Sequence, residues 1–176
     1  MTSSHTIVAR TERLTLRELT IDDVDALFEV LGDRLAMEHY PAPKTRPETQ
    51  AWIQWALDSY ASNGFGLWAV ERTADSAFLG DCGPMLQPVE GDSVPEIGYH
   101  TVRREWGRGY ATEAALACRT IVLGRLGFER VVSIVAPENL ASRRVAEKVH
   151  ETMREFMWEK GGRTMCLYES RRRATT

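Results

Sequence analysis

Residues 94–115 constrain this chain more than any other stretch. From Val94 to Thr101 the residues alternate, placing Ile97, Tyr99 and Thr101 on one face of a predicted strand and Glu96, Gly98 and His100 on the other. The chain then turns through Gly107 and Gly109 and enters a predicted helix near Tyr110. A glycine-rich turn feeding a helix gathers unpaired backbone N–H groups at the positive end of the helix dipole, a geometry suited to phosphate or pyrophosphate. Glycine lets the backbone approach the anion closely, and Arg108 adds charge. Two familiar phosphate motifs fail on residues. A dinucleotide fingerprint needs a third Gly or Ala where Thr112 stands, and the Gly-Lys-Ser/Thr of a P-loop is absent. A bare Gly-x-Gly is as compatible with an ordinary turn, so the surrounding residues must decide.

With 176 residues, the chain is expected to form one domain, 1–176, with a sizeable core. A formal net charge of −3 argues against a nucleic-acid-binding surface. Cys82, Cys118 and Cys166 are odd in number and widely spaced, so they read as buried apolar residues in a reducing compartment, and no metal ligand set is expected. No apolar leader and no run of transmembrane length is seen, so a cytoplasmic protein without membrane partners is expected.

In chain order, residues 1–7 read as a loose leader and Thr11 to Leu19 as a first strand. Thr20-x-x-Asp23 opens a helix with Val24, Leu27, Phe28 and Leu31 on one face, stopped by Gly32. Residues 33–44 read as a loop. Thr45-x-x-Glu48 opens a second helix, with Pro47 in its first turn and Ile53, Ala56, Leu57 and Tyr60 as its stripe. Strands are predicted at 67–71 and 77–87, with a bulge or close backbone approach at Gly80, Cys82 and Gly83. Residues 88–93 read as a loop. After the second glycine turn come a helix ending near Gly124 or Gly127, a buried strand at 131–136, a short helix at 140–149 and a closing hairpin, 152–158 and 163–168. Strands with interspersed helices give a mixed α/β architecture.

Glu96-Ile-Gly-Tyr99, a short link and then Trp106-Gly-Arg-Gly-Tyr-Ala-Thr-Glu-Ala114 resemble the acetyl-CoA site of the GNAT acetyltransferases, within them the branch of the RimJ/RimL ribosomal-protein acetyltransferases. Both Arg104-x-x-Gly107-x-Gly109 and Trp106-x-x-Gly109-x-Ala111 fit the superfamily pattern; the second, preferred here, starts the helix at Ala111-Thr112. The resemblance runs nearly the whole length. It implies an α/β (α+β) fold with a mostly antiparallel central sheet flanked by helices, and acetyl-CoA as cofactor. It assigns Tyr99, His100, Thr101, Gly107, Arg108, Gly109, Tyr110, Ala111 and Thr112 to the cofactor. Asn139-x-x-Ser142 before Arg144-Val-Ala-Glu-Lys148 resembles the stretch that contacts the pantetheine arm, adding Asn139 and Ser142; capping of the next helix is the simpler role for Asn139 taken alone. Two departures stand out. Lys148-Val-His-Glu151 replaces the usual Lys-x-Gly-Phe, putting a bulky His150 near the expected cofactor tail, and Ala146 occupies the position where many members carry a tyrosine acid.

The implied reaction is acetyl transfer to an amine, a protein N-terminus or a small molecule, by direct attack in a ternary complex. The attacking amine must be neutral, the developing oxyanion needs a donor and the thiolate must leave. The strand at Tyr99 to Thr101 offers that donor if its neighbour splays away. Glu96 is the expected base, with His100 on the same face as the alternative and Ser142 as a helper to the thiolate. Glu38, Tyr40, Trp55 and Glu96 are expected to line the acceptor site, with His39 and Trp52 nearby. A homodimer is left open. A non-catalytic acyl-CoA-binding module is the competing reading, kept alive by Ala146 and the Lys-Val-His-Glu departure.

Overall fold

The computed structural model describes residues 6–173. Eight strands, β1 (Ile7–Arg10), β2 (Leu14–Glu18), β3 (Trp68–Arg72), β4 (Phe78–Val89), β5 (Asp92–Thr101), β6 (Arg130–Val135), β7 (Thr152–Trp158) and β8 (Arg163–Arg171), form one sheet in the order β1-β2-β3-β4-β5-β6-β8-β7. Every neighbouring pair is antiparallel except β5 and β6. Four helices flank it: α1 (Val24–Leu31), α2 (Arg46–Asn63), α3 (Tyr110–Thr120), prolonged by a wider turn to Arg125, and α4 (Leu140–Val149). This is the mixed, mostly antiparallel α/β sheet that the sequence led us to expect.

The helices divide between the two faces as the strand alternation dictates. Leu27 and Leu31 of α1 and Ile53 and Ala56 of α2 pack on Leu67 and Ala69. On the opposite face Ala114, Ala115 and Cys118 of α3 and Val149 of α4 pack on Leu16, Cys82 and Ile97. Local signals set the helix ends. Thr45 and Glu48 cap α2 reciprocally, and Gly64 ends it in the left-handed conformation at φ 76°. Arg17, buried in β2, is held by Asp23 at 2.8 Å and Glu71 at 2.7 Å, which ties the start of α1 to the sheet.

Three expectations are corrected. The first strand is two, because β1 adds an edge strand before a turn at residues 11–13; residues 1–5 of the supposed leader lie outside the described residues. The loop at 88–93 is a tight hairpin in which β4 and β5 pair through to Val89↔Asp92. Glu90 and Gly91 both have positive φ, 53° and 88°, the two-residue turn whose twist matches a hairpin. Pro88 disguised it, since proline near a strand end looks like a breaker although it is tolerated there. Finally, α3 begins at Tyr110, with Gly109 as its cap, one residue before the preferred start.

The feature that positions the site is a fork. β5 pairs with β4 all the way from Asp92 to Thr101, but with β6 only at Glu96↔Val132. Beyond that position the two parallel strands diverge.

Candidate active site

The turn before α3 is built for an anion. Gly107 and Gly109 adopt φ 75° and 81°, conformations that side-chain-bearing residues rarely take. A Cβ on Gly107 would meet nothing within 4 Å, so the surface above the turn is open. Gly109 caps α3 without any side-chain acceptor, and the first bond within the helix runs from the Glu113 N–H to the Gly109 carbonyl at 3.0 Å. The N–H groups of Tyr110, Ala111 and Thr112 therefore stand at the helix start with no partner inside the helix. Arg108 is exposed and lies 3.3 Å from Glu105. Arg13, which the sequence reading passed over, braces the turn. Its guanidinium donates to the Arg108 carbonyl at 3.0 Å and to Glu113 at 2.7 Å, and it lies 4.6 Å from the centre of the Tyr110 ring. The residues present fit a pyrophosphate.

At the fork, backbone direction follows from alternation. The Val102 N–H donates to Leu79 on β4 at 2.8 Å, so Ile97, Tyr99 and Thr101 turn their N–H and C=O groups to the β6 side. The Ile97 carbonyl accepts from Ser133 Oγ at 3.0 Å, and the Thr101 carbonyl from Trp106 Nε1 at 2.8 Å. Between them the Tyr99 N–H points into the gap. Glu96 sits at the apex, where its Oε1 accepts the Ile134 N–H of β6 at 3.3 Å. Burial pushes the Glu96 carboxyl up to about 7, against the opposing pull of that N–H, of Gln87 and of the Lys160 charge. A carboxyl poised there can exchange a proton near neutral pH.

His100 shares Glu96's face and ends a second constellation. Its Nδ1 lies 2.7 Å from Asp81 Oδ1, and its Nε2 lies 2.7 Å from the Tyr40 hydroxyl. Asp81 stands directly opposite His100 in the β4–β5 register and is 1% exposed. Its other oxygen accepts from Trp52 Nε1 at 3.0 Å. Gly80 makes this possible: a Cβ there would fall 1.9 Å from the His100 carbonyl, so only glycine permits the approach of β4 to β5. The sequence signal for Asp81 was present but weak, a lone carboxylate inside a Gly-Asp-Cys-Gly strand.

Tyr40 and Glu38 line an open depression of about 570 Å³ formed by residues 34–43. Trp55, expected there, lies one step out. It packs on Trp52 at 5.8 Å and is 43% exposed, whereas Trp52 itself reaches the His100 cluster, with ring centres 5.9 Å apart.

On the opposite face, Tyr99 crosses to the first turn of α4. Its hydroxyl donates to the Ser142 carbonyl at 2.9 Å and accepts from Ser142 Oγ at 3.0 Å. Asn139 caps α4, its Oδ1 accepting the Ser142 N–H at 3.0 Å. Ala146 is fully buried. His150 points inward, between Ser133 Oγ at 3.0 Å and Ser170 Oγ at 3.1 Å. Because Ser133 gives its proton to Ile97, the imidazole Nε2 donates to Ser133. Burial, with the Arg119 charge, lowers it to about 4.

A strand fork beside a glycine-rich helix start, with a carboxyl at its apex, sets a place for a phosphate-bearing group next to a proton acceptor. The acetyltransferase (GNAT) domain model matches residues 13–151, and the chain belongs to that family. Among curated relatives it is 37% identical to the uncharacterized protein YkkB of Bacillus subtilis, over 90% of this chain and 92% of that one. Among solved structures it resembles an acetyltransferase from Agrobacterium tumefaciens, with 26% identity, TM-score 0.80 and coverage of 97% and 95%. It also shares the fold of RimL, a ribosomal L7/L12 alpha-N-protein acetyltransferase in complex with coenzyme A, at 19% identity, TM-score 0.74 and coverage of 94% and 97%.

Proposed function

We propose that this protein is an acetyl-CoA-dependent N-acetyltransferase that acts on a primary amine by direct attack. The observation that carries the reading is the open β5–β6 fork lying between Glu96 and the unpartnered N–H groups that begin α3. The coenzyme A complex of the structurally similar RimL supports the choice of cofactor. When bound, acetyl-CoA supplies an activated thioester carbonyl. The chain's own contributions are separable. The N–H groups of Tyr110 to Thr112, with Arg13 and Arg108, hold the pyrophosphate. The Tyr99 N–H is the donor for the oxyanion, and Asn139 and Ser142 face the pantetheine arm. The Tyr99–Ser142 hydroxyl pair is the proton source closest to hand for the departing thiolate, whose ordinary pKa of about 8.5 demands limited help. Glu96 accepts the proton that the nitrogen sheds as the new amide forms. The acceptor enters over Glu38 and Tyr40.

The fold shared with RimL, a ribosomal L7/L12 alpha-N-protein acetyltransferase, makes a protein N-terminus a candidate acceptor beside small amines. An N-terminal α-amine, with a pKa of about 7.7–8.0, needs less from a base than a lysine near 10.4. The whole chain acts as one domain in this reading, within the cytoplasm; among the described residues no helix is long and apolar enough to cross a membrane. Thiol release from acetyl-CoA across a panel of peptide N-termini, polyamines and aminoglycosides tests the proposal. Amine-dependent release is expected. Tight CoA binding with no release for any amine would point instead to a non-catalytic acyl-CoA-binding module.

A further inference from the structure

An amine protonated in water carries two protons more than the amide nitrogen it becomes. One must leave before attack, to free the lone pair, and one as the amide forms. Glu96 accounts for a single proton per turnover, and the fold holds a second acceptor ready.

We propose that Tyr40, His100 and Asp81 form a relay that removes the first proton, drawing it from the acceptor ammonium at the mouth of the depression. This rests on the N-acetyltransferase reading. The three groups come from different elements, the α1–α2 segment, β5 and β4, yet lie in one chain of 2.7 Å hydrogen bonds. Its outer residue, Tyr40, is 42% exposed and lines the depression, while burial of its hydroxyl raises the phenol pKa, so the hydroxyl hands a proton on without itself ionising. Its inner end is a carboxylate, 1% exposed, with each oxygen committed, one to His100 and one to Trp52. An acceptor-only carboxylate fixes the proton of neutral His100 on Nδ1, so Nε2 presents its lone pair to the Tyr40 hydroxyl. A buried carboxylate that orients an imidazole and stabilises it once protonated is the arrangement of catalytic triads, with a tyrosine at the outer position.

The step balances. The ammonium N–H bond breaks and its proton bonds to the Tyr40 oxygen as the Tyr40 proton passes to His100 Nε2. The amine is left with its lone pair, and the imidazolium is held by Asp81. The proton returns through Tyr40 to solvent after turnover. The titratable groups that face His100 are Asp81 from β4, Tyr40 from the α1–α2 segment and Glu96 four residues back along the same face of β5; α2 contributes the uncharged Trp52, with Lys44 stacked on it at 4.8 Å. Tyr40 touches the substrate; Asp81 acts only through His100 and is a positioning residue.

The test uses the full-length protein and Tyr40→Phe, which keeps the ring packed on His100 and deletes only the hydroxyl. We would measure kcat/KM from pH 6.5 to 10 with acetyl-CoA and two acceptors, butylamine and an alanyl peptide amide. At pH 7 the variant should lose on the order of 10²-fold with butylamine, and less with the peptide, whose amine is partly neutral there. The deficit should vanish as the pH approaches the pKa of the amine, where no first proton remains to be removed. Asp81→Asn should follow the same pH pattern. Equal rates for variant and wild type at every pH would overturn the relay. So would a deficit constant with pH, which would mark a packing or binding role. No transfer to any amine by the wild type would overturn the acetyltransferase reading and the relay with it, an outcome distinct from either of the others.

Discussion

The side chain of Glu96 accepts the backbone N–H of Ile134 at the point where β5 and β6 separate. A diverging strand pair strands backbone donors that a continuous ladder would have satisfied. Here a carboxyl fills that role, and the same burial that lets it do so raises its pKa to about 7. The repair of the fork and the raised pKa thus fall on one group.

Glu96→Gln separates the two roles. The amide oxygen still accepts the Ile134 N–H, so the fork should persist, while turnover should fall about 10²–10⁴-fold. In the wild type, kcat should rise with pH through about 7, and that limb should be missing in the variant. The sign for stability runs the other way. A carboxyl whose folded pKa is raised costs stability as pH climbs from its unfolded value near 4.5 through 7. Glu96→Gln should therefore melt higher than wild type at pH 8 and at about the same temperature at pH 4. Calorimetric melts and a pH–rate profile check both halves; full activity in the variant would remove Glu96 from the chemistry.

Gly109→Val probes the anion turn. At φ 81° any β-branched residue is strained, and its side chain would occupy the approach to the α3 N–H groups. Acetyl-CoA affinity should drop at least about tenfold, equivalent to ~1.4 kcal/mol. Titration calorimetry of the folded variant decides, and unchanged affinity would move the cofactor elsewhere.

Glu38 lines the depression beside Tyr40 and is largely exposed. Glu38→Ala should raise KM for a cationic amine by ~2–5-fold, the scale of an exposed charge pair, and leave acetyl-CoA affinity unchanged. The effect should shrink in high salt. Weaker acetyl-CoA binding with an unaltered amine KM would assign this segment to the cofactor instead.

His150 predicts an acid-sensitive fold. Its folded pKa, about 4, lies below its ordinary value of 6.5, so the unfolded chain binds the extra proton between those limits. Stability from this group is complete above pH 6.5 and is lost as pH falls toward 4, by up to ~3 kcal/mol. His150→Gln should flatten that part of the profile in denaturant titrations at successive pH values. A wild-type stability independent of pH across this window would contradict the neutral, doubly hydrogen-bonded imidazole.

Much of this was legible in the residues themselves, because it depends on neighbours in the chain. The alternation of 94–101, the caps at Thr45 and Asn139, and the glycine turn into α3 all follow from local geometry, and each is present in the structure. Local reading failed where a competing signal masked it, as Pro88 hid the tight turn at Glu90-Gly91. It also missed β1, an edge strand with little apolar alternation to betray it.

Other features belong to the tertiary structure alone. The sequence spaced Asp81, His100 and Tyr40 tens of residues apart, and only the β4–β5 register with the return of the α1–α2 segment made them a chain of hydrogen bonds. Arg13 reaches the glycine turn before α3, 95 residues away, because β2 lies in the sheet beneath α3. His150 looked like a disturbance of the cofactor lip and is instead a buried tie between Ser133 and Ser170. Short-range sterics and hydrogen-bond demands are written residue by residue, so the sequence by itself determined the elements and the anion turn. Which polar groups meet across the sheet depends on register and on where two strands part, and these are set by the packing of the whole core.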